Sequence, residues 1–75
     1  MSGGELDYLY AKLEMNESKI KAFLKKNVDE KTARKIMEIV KEIIEFLYAL
    51  EWWMSGDYDY NNFLWKVEKL RLWKV

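Results

Sequence analysis

Ala33, Ile36, Met37, Val40, Ile43, Ile44, Leu47 and Leu50 repeat at the three-and-four spacing of one helical face, and no proline or glycine interrupts them. Only a helix gathers such a set on one side, because each residue turns the chain by about 100°. Asp29 stands ahead of the stripe as an N-cap, and Val28 before it is placed to act as a hydrophobic staple. Ser55-Gly56 closes it. The stripe predicts one helix from Asp29 to Met54, about 25 residues and so about 37 Å long. In a chain of 75 residues with three glycines and no proline, such a rod leaves room only for short helices packed along it.

The flanking segments carry the same periodicity. Leu6, Leu9, Tyr10 and Leu13 predict a first helix from about Glu5 to Glu14. Asn16 is an N-cap candidate, and Glu17 puts an acid in the first turn of a second helix. Ile20, Phe23 and Leu24 form its expected inward face, Lys25 and Lys26 complement its negative end, and Asn27 suits a left-handed stop. Asp57 or Asp59 caps a fourth helix whose apolar positions are Phe63, Leu64, Val67 and Leu70. The expected fold is all-α, a compact bundle of four helices in which an aromatic-rich fourth helix packs the long third.

The chain contains no cysteine and no histidine. That removes disulfides, thiolate metal sites, the commonest metal ligand and the usual general base. Ser2, Ser18 and Ser55 have no activating neighbour in the sequence. The acids Glu38, Glu42, Glu45 and Glu68 show no metal-ligand pairing and read as a solvated face. No enzyme activity, metal or cofactor is therefore expected. The segment IIEFLYALEWWM, residues 43–54, carries two glutamates and is too short to span a bilayer. No basic segment precedes an apolar run, so no membrane association is expected and a cytoplasmic location is the default.

Charge is where the sequence becomes specific. The total is zero, with 13 basic and 13 acidic residues. Residues 16–35 hold Lys19, Lys21, Lys25, Lys26, Lys31, Arg34 and Lys35 against Glu17, Asp29 and Glu30, a local balance of +4 offset by −4 elsewhere. Segregation of this kind is an electrostatic footprint for phosphate. The apolar positions Leu9, Leu13, Met15, Ile20 and Phe23, with a very short link between the first two helices, resemble the helix-turn-helix of the lactose-repressor and lambda-repressor-like families. Residues 28–36, VDEKTARKI, look like the start of the third helix in the lactose-repressor family. Together the resemblance covers residues 6–42. Tyr10 stands where the family has a small residue, and Glu14 where it has the turn glycine.

The resemblance implies a helix-turn-helix over residues 5–36 and a small transcriptional regulator that reads double-stranded DNA. Residues 37–75 would be an aromatic helical clasp, and the whole of 5–75 one domain behind a flexible leader, MSGG (1–4), native or added. With the second helix in the major groove, Asn16, Ser18, Lys19 and Ala22 lie nearest the bases. Lys21, Lys25, Lys26, Arg34 and Lys35 would then meet phosphates. The alternative for these lysines is a solvated face that keeps a small protein soluble.

The C-terminal half raises a second question. Residues 43–54 are apolar nearly all round, and a chain this small has too little interior for so many rings. Phe46, Tyr48, Trp52, Trp53, Tyr58, Trp65 and Trp73 are therefore interface candidates, for a homodimer or another protein partner. The bland alternative is that these rings pack the fourth helix onto the third. The rival functional reading is a helical protein-binding module with no nucleic-acid role. The absence of cysteine, histidine and proline suits a hyperthermophile-like sequence and a designed miniprotein binder equally.

Overall fold

The structure, a computed structural model, describes residues 6–74; the MSGG leader and the expected helix start at Glu5 lie outside the described residues. Four helices form: α1 (Leu9–Met15), α2 (Glu17–Asn27), α3 (Glu30–Met54) and α4 (Tyr60–Val67), followed by a 3-10 turn over Arg71–Lys74. Helix α3 is the spine, and α1, α2, α4 and the closing turn all pack on it. The all-α bundle expected from the periodicity is what forms. It is flattened, with Cα extents of 41 × 26 × 11 Å.

Both ends of α3 fall where the sequence placed them, and for the expected reasons. The Asp29 side chain accepts the Thr32 backbone N–H at 3.1 Å and the Thr32 hydroxyl at 2.6 Å. The hydroxyl bond first, and the backbone bond second, hold the Asp29 carboxyl below its usual range. At the other end Gly56 adopts φ +87°. Its N–H donates to the Trp53 carbonyl at 3.1 Å, and the Asp57 N–H donates to the Trp52 carbonyl at 2.9 Å. These two crossed bonds are a Schellman stop. Of the two possible caps for α4, Asp59 takes the role by accepting the Asn62 N–H at 2.8 Å.

Three local expectations are corrected. First, α1 starts at Leu9, because Asp7 and Tyr8 hold left-handed backbones, φ 56° and 55°. Second, neither asparagine acts as expected. The Asn16 and Asn27 side-chain amides each donate to the carbonyl four residues back, Lys12 and Phe23, at 2.8 Å. Asn16 thus secures the end of α1 and gives α2 no side-chain cap, and Asn27 stays helical. Third, α4 ends at Val67, yet Leu70 is still buried, carried inward by the turn that follows. The acids of α3, exposed as expected at Glu38 and Glu45, also tie down the C-terminal turn: Glu42 accepts the Leu72 N–H at 3.0 Å, and Glu38 pairs with Arg71 at 3.7 Å.

The left-handed pair has a cause 43 residues downstream. Glu51 is fully buried, and its Oε2 accepts the backbone N–H groups of Leu6 at 3.0 Å and Tyr8 at 2.7 Å. Converging backbone N–H groups make an anion-binding concavity. Here the anion is a side chain of α3, which pins the segment before α1 to the spine. The other oxygen, Oε1, and the neighbouring Trp52 Nε1 are buried without a hydrogen-bond partner among the described residues.

The apolar core is lopsided. Ala49, Phe63, Val67 and Leu70 form its centre, with Phe46, Leu50, Trp53, Tyr58 and Leu64 packed around them. Toward the N-terminal half, α2 buries only Leu24, α1 buries nothing fully, and α3 buries no residue before Ile44.

Candidate functional site

The residues expected to meet DNA all lie on the surface: Asn16, Ser18, Lys19, Lys21, Ala22, Lys25, Lys26, Arg34 and Lys35. Leu24 faces α3. At 100° per residue, Lys26 then projects from the opposite side of α2, with Lys19 beside it. Lys21 and Lys25 turn toward one flank of α2, where with Arg34 and Lys41 they border a groove of about 850 Å³ between α2 and α3. Its floor is Val28, Ala33 and Met37, and Glu30 and Glu38 share its rim. Arg34 is tied to Glu30 at 3.3 Å. The lysines of α2 make no ion pair among the described residues. They therefore form a solvated, cationic face that holds no preformed acidic partner.

The apolar positions of the helix-turn-helix pattern are arranged differently from their expected inward lock. Helices α1 and α2 are joined by Asn16 alone. Phe23, expected inward, is 63% exposed, and Met15 is 80% exposed. Phe23 sits on the flank of α2 away from Lys21 and Lys25, so α2 carries charge on one side and an uncovered ring on the other.

Most of the aromatic candidates are occupied within the chain. Tyr10, Tyr48, Trp52 and Tyr58 form a ladder from α1 across α3 to the α3–α4 link, with centroid separations of 4.8, 5.2 and 5.9 Å. Burial, with the Tyr58 and Tyr10 phenols beside it, pushes the Tyr48 hydroxyl above its ordinary value. A second cluster centres on Phe63, stacked on Trp53 at 4.5 Å and touched edge-on by Phe46 at 6.0 Å and Trp73 at 6.4 Å. These rings pack α1 and α4 onto α3, which is the bland alternative. Trp65 and Trp73 stay open, at 59% and 46% exposure, and the Lys69 ammonium lies 3.8 Å from the Trp65 ring centroid.

A stripe on α3 is only partly covered by the chain's own helices. Ala33, Ile36, Val40, Ile43, Leu47, Leu50 and Met54 alternate spacings of three and four without a break, the a and d positions of three heptads. None of the seven is buried; the first six are partly covered and Met54 is 50% exposed. The fully buried residues of α3, Ile44, Ala49 and Glu51, lie off this seam. Ile39, 48% exposed, extends it along one flank, where Phe46 and Trp53 are already packed against Phe63. Beside it, Ile43, Phe46, Leu70, Leu72 and Trp73 line an apolar recess of about 300 Å³. The signal was present in the sequence as the breadth of the stripe, wider than one neighbouring helix can cover.

Among the described residues no three side chains of the metal-ligating types converge, and no helix is long and apolar enough to cross a membrane. No protein-family model, curated protein or solved structure matches the chain.

Proposed function

We propose that this protein is a helical protein-interaction module whose working surface is the heptad seam of α3. The observation that carries the reading is that the most regular apolar stripe of α3 is only partly covered by the chain's own helices, with Ile39 and Met54 about half-exposed along it, while Ile44, Ala49 and Glu51 on the other side are buried. Exposed contiguous apolar surface of this kind marks sites of association, and a helix groove or seam takes an amphipathic partner through anchors at i, i+3, i+4 and i+7. The test is a photoreactive side chain at residue 39, on the flank of the seam, compared with one at residue 31, on the opposite face. The reading expects covalent adducts with protein, a second copy or another chain, from residue 39 and not from residue 31. Equal yields at the two positions sink it.

A second reading, a DNA-binding regulator, is supported by the unpaired lysines of α2 and by their segregation from the acidic remainder of the chain. On this reading Lys25→Ala weakens all sequences alike and lowers the salt slope by about one ion, whereas Lys19→Ala alters sequence preference. Anisotropy titration on mixed-sequence duplex across a salt series measures both. Absence of binding at low salt leaves those lysines as a solvated face.

A further inference from the structure

We infer that the groove between α2 and α3 is a binding site for one long-chain anion of the fatty-acid class. Its tail lies toward the α2–α3 link and its head toward Lys21 and Lys41. The inference goes beyond the interaction-module reading and is independent of it, since groove and seam share only Ala33. Three observations support it.

The first is an apolar floor between charged walls. Val28, Ala33 and Met37 are half-buried beneath a space of about 850 Å³. That volume falls within the roughly 300–1,000 Å³ of small-molecule sites, which set a few polar groups around apolar surface. A compact inorganic anion would leave the floor wet, and a neutral apolar molecule would leave the cations without a partner. A ligand with an apolar body and a negative group uses the whole lining.

The second is the state of the charges. Four cations and two acids border the groove, and both acids are already engaged: Glu30 with Arg34 at 3.3 Å and Glu38 with Arg71 at 3.7 Å. Lys21, Lys25 and Lys41 make no ion pair among the described residues. Three ammonium groups therefore border one groove with no counter-charge from the chain itself. A concave surface so lined attracts an anion and rejects a cation.

The third is that the groove has a polarity. Only Val28 and Asp29 separate the two helices, so the link closes one end. Lys21 and Lys41 are the lining residues farthest from that link on α2 and α3. Glu30 stands beside the link, where its carboxylate repels an anionic head. From Glu30 to Lys41 the helix rises about 16 Å, which suits an extended alkyl chain and exceeds a short acid.

The test is an amide chemical-shift titration of the full chain with dodecanoate below its micelle concentration. Saturable shifts are expected at Lys25, Val28, Ala33 and Met37. Lys21→Glu combined with Lys25→Glu should weaken binding about ten-fold or more. Both lysines are exposed, so far-UV circular dichroism of that variant should match the parent. Acetate lacks the tail, dodecanol the charge, and dodecyltrimethylammonium the sign; each should bind about ten-fold more weakly or worse. A nitroxide at the far end of the chain should broaden Val28 and Ala33 rather than Lys41. In flotation with phosphatidylglycerol vesicles the chain should stay in the protein fraction.

Acetate binding as tightly as dodecanoate overturns the role of the floor. Dodecanol or dodecyltrimethylammonium binding as tightly overturns the role of the lysines. Shifts centred on Leu70 and Trp73, or an affinity unchanged in the double variant, overturn the site. Broadening centred on Lys41 overturns the orientation, and co-flotation with vesicles overturns uptake of a single molecule. Absence of any saturable shift overturns the inference altogether and leaves the interaction-module reading untouched.

Discussion

At the scale of single residues, Glu51 organises more of the molecule than its place in an apolar run suggests. A buried carboxyl is costly unless it is hydrogen-bonded, and here two backbone N–H groups bond one of its oxygens, Oε2. Glu51→Leu removes the acceptor and strands both donors, at an expected cost of about 3 kcal/mol; Glu51→Gln keeps one oxygen and costs about 1 kcal/mol. Guanidinium unfolding followed by tryptophan fluorescence separates the two, and a leucine variant as stable as the parent refutes this role. Tyr48 gives a pH signature. Burial favours its neutral phenol, so its folded value lies above 10.0. Its contribution is intact below pH 10 and lost as pH rises through the folded value. Stability should therefore fall above about pH 10, and Tyr48→Phe should flatten that fall. A Tyr48→Phe profile superimposable on the parent's rejects the assignment. Neither role was legible from sequence. The Glu51 contact spans more than 40 residues of chain, and no local pattern encodes it.

At the scale of elements, the two ends of the chain are held with unequal strength. Helix α4 brings Phe63 and Val67 into the core, whereas α2 brings only Leu24. Phe63→Ala should cost about 3–5 kcal/mol and release α4 from α3. Amide exchange should follow the same gradient, with residues 17–41 opening about ten-fold or more faster than residues 44–67. Uniform protection along α3 contradicts it. The elements themselves were largely legible. Asp29, Gly56 and Asp59 each fix a boundary through their own few neighbours, so local reading suffices. Leu9 as the start of α1 was not, because the left-handed Asp7-Tyr8 pair depends on Glu51. Phe23 was misread as inward because helical spacing gives a face but does not say which flank the next helix covers.

At the scale of the whole molecule, the helix that organises the fold also carries the proposed interaction surface. If two copies pair along α3, a hundred-fold rise in concentration should raise Tm by about 5–10 °C, and Ile39→Glu should abolish that dependence. A concentration-independent Tm in the parent counts against pairing. The sequence announced surplus apolar surface, and Trp65 and Trp73 among its candidates do stay open. Tyr48, Trp52 and Trp53 find ring partners within the chain, while the aliphatic seam of α3 is only partly covered. Only the relative placement of α1, α2 and α4 around the spine decides which side of α3 is left open.

That spine has a mechanical consequence. The outer helices α2 and α4 both rest on α3 and share no substantial contact with each other. A displacement at the lysine-bearing end can therefore reach the aromatic end by two routes: along the rod of α3, or through Asn16 into α1, whose Tyr10 meets Tyr48 and whose preceding segment is tied to Glu51. A kink midway along α3 would leave that second route, the single-residue joint at Asn16, as the link between the two ends.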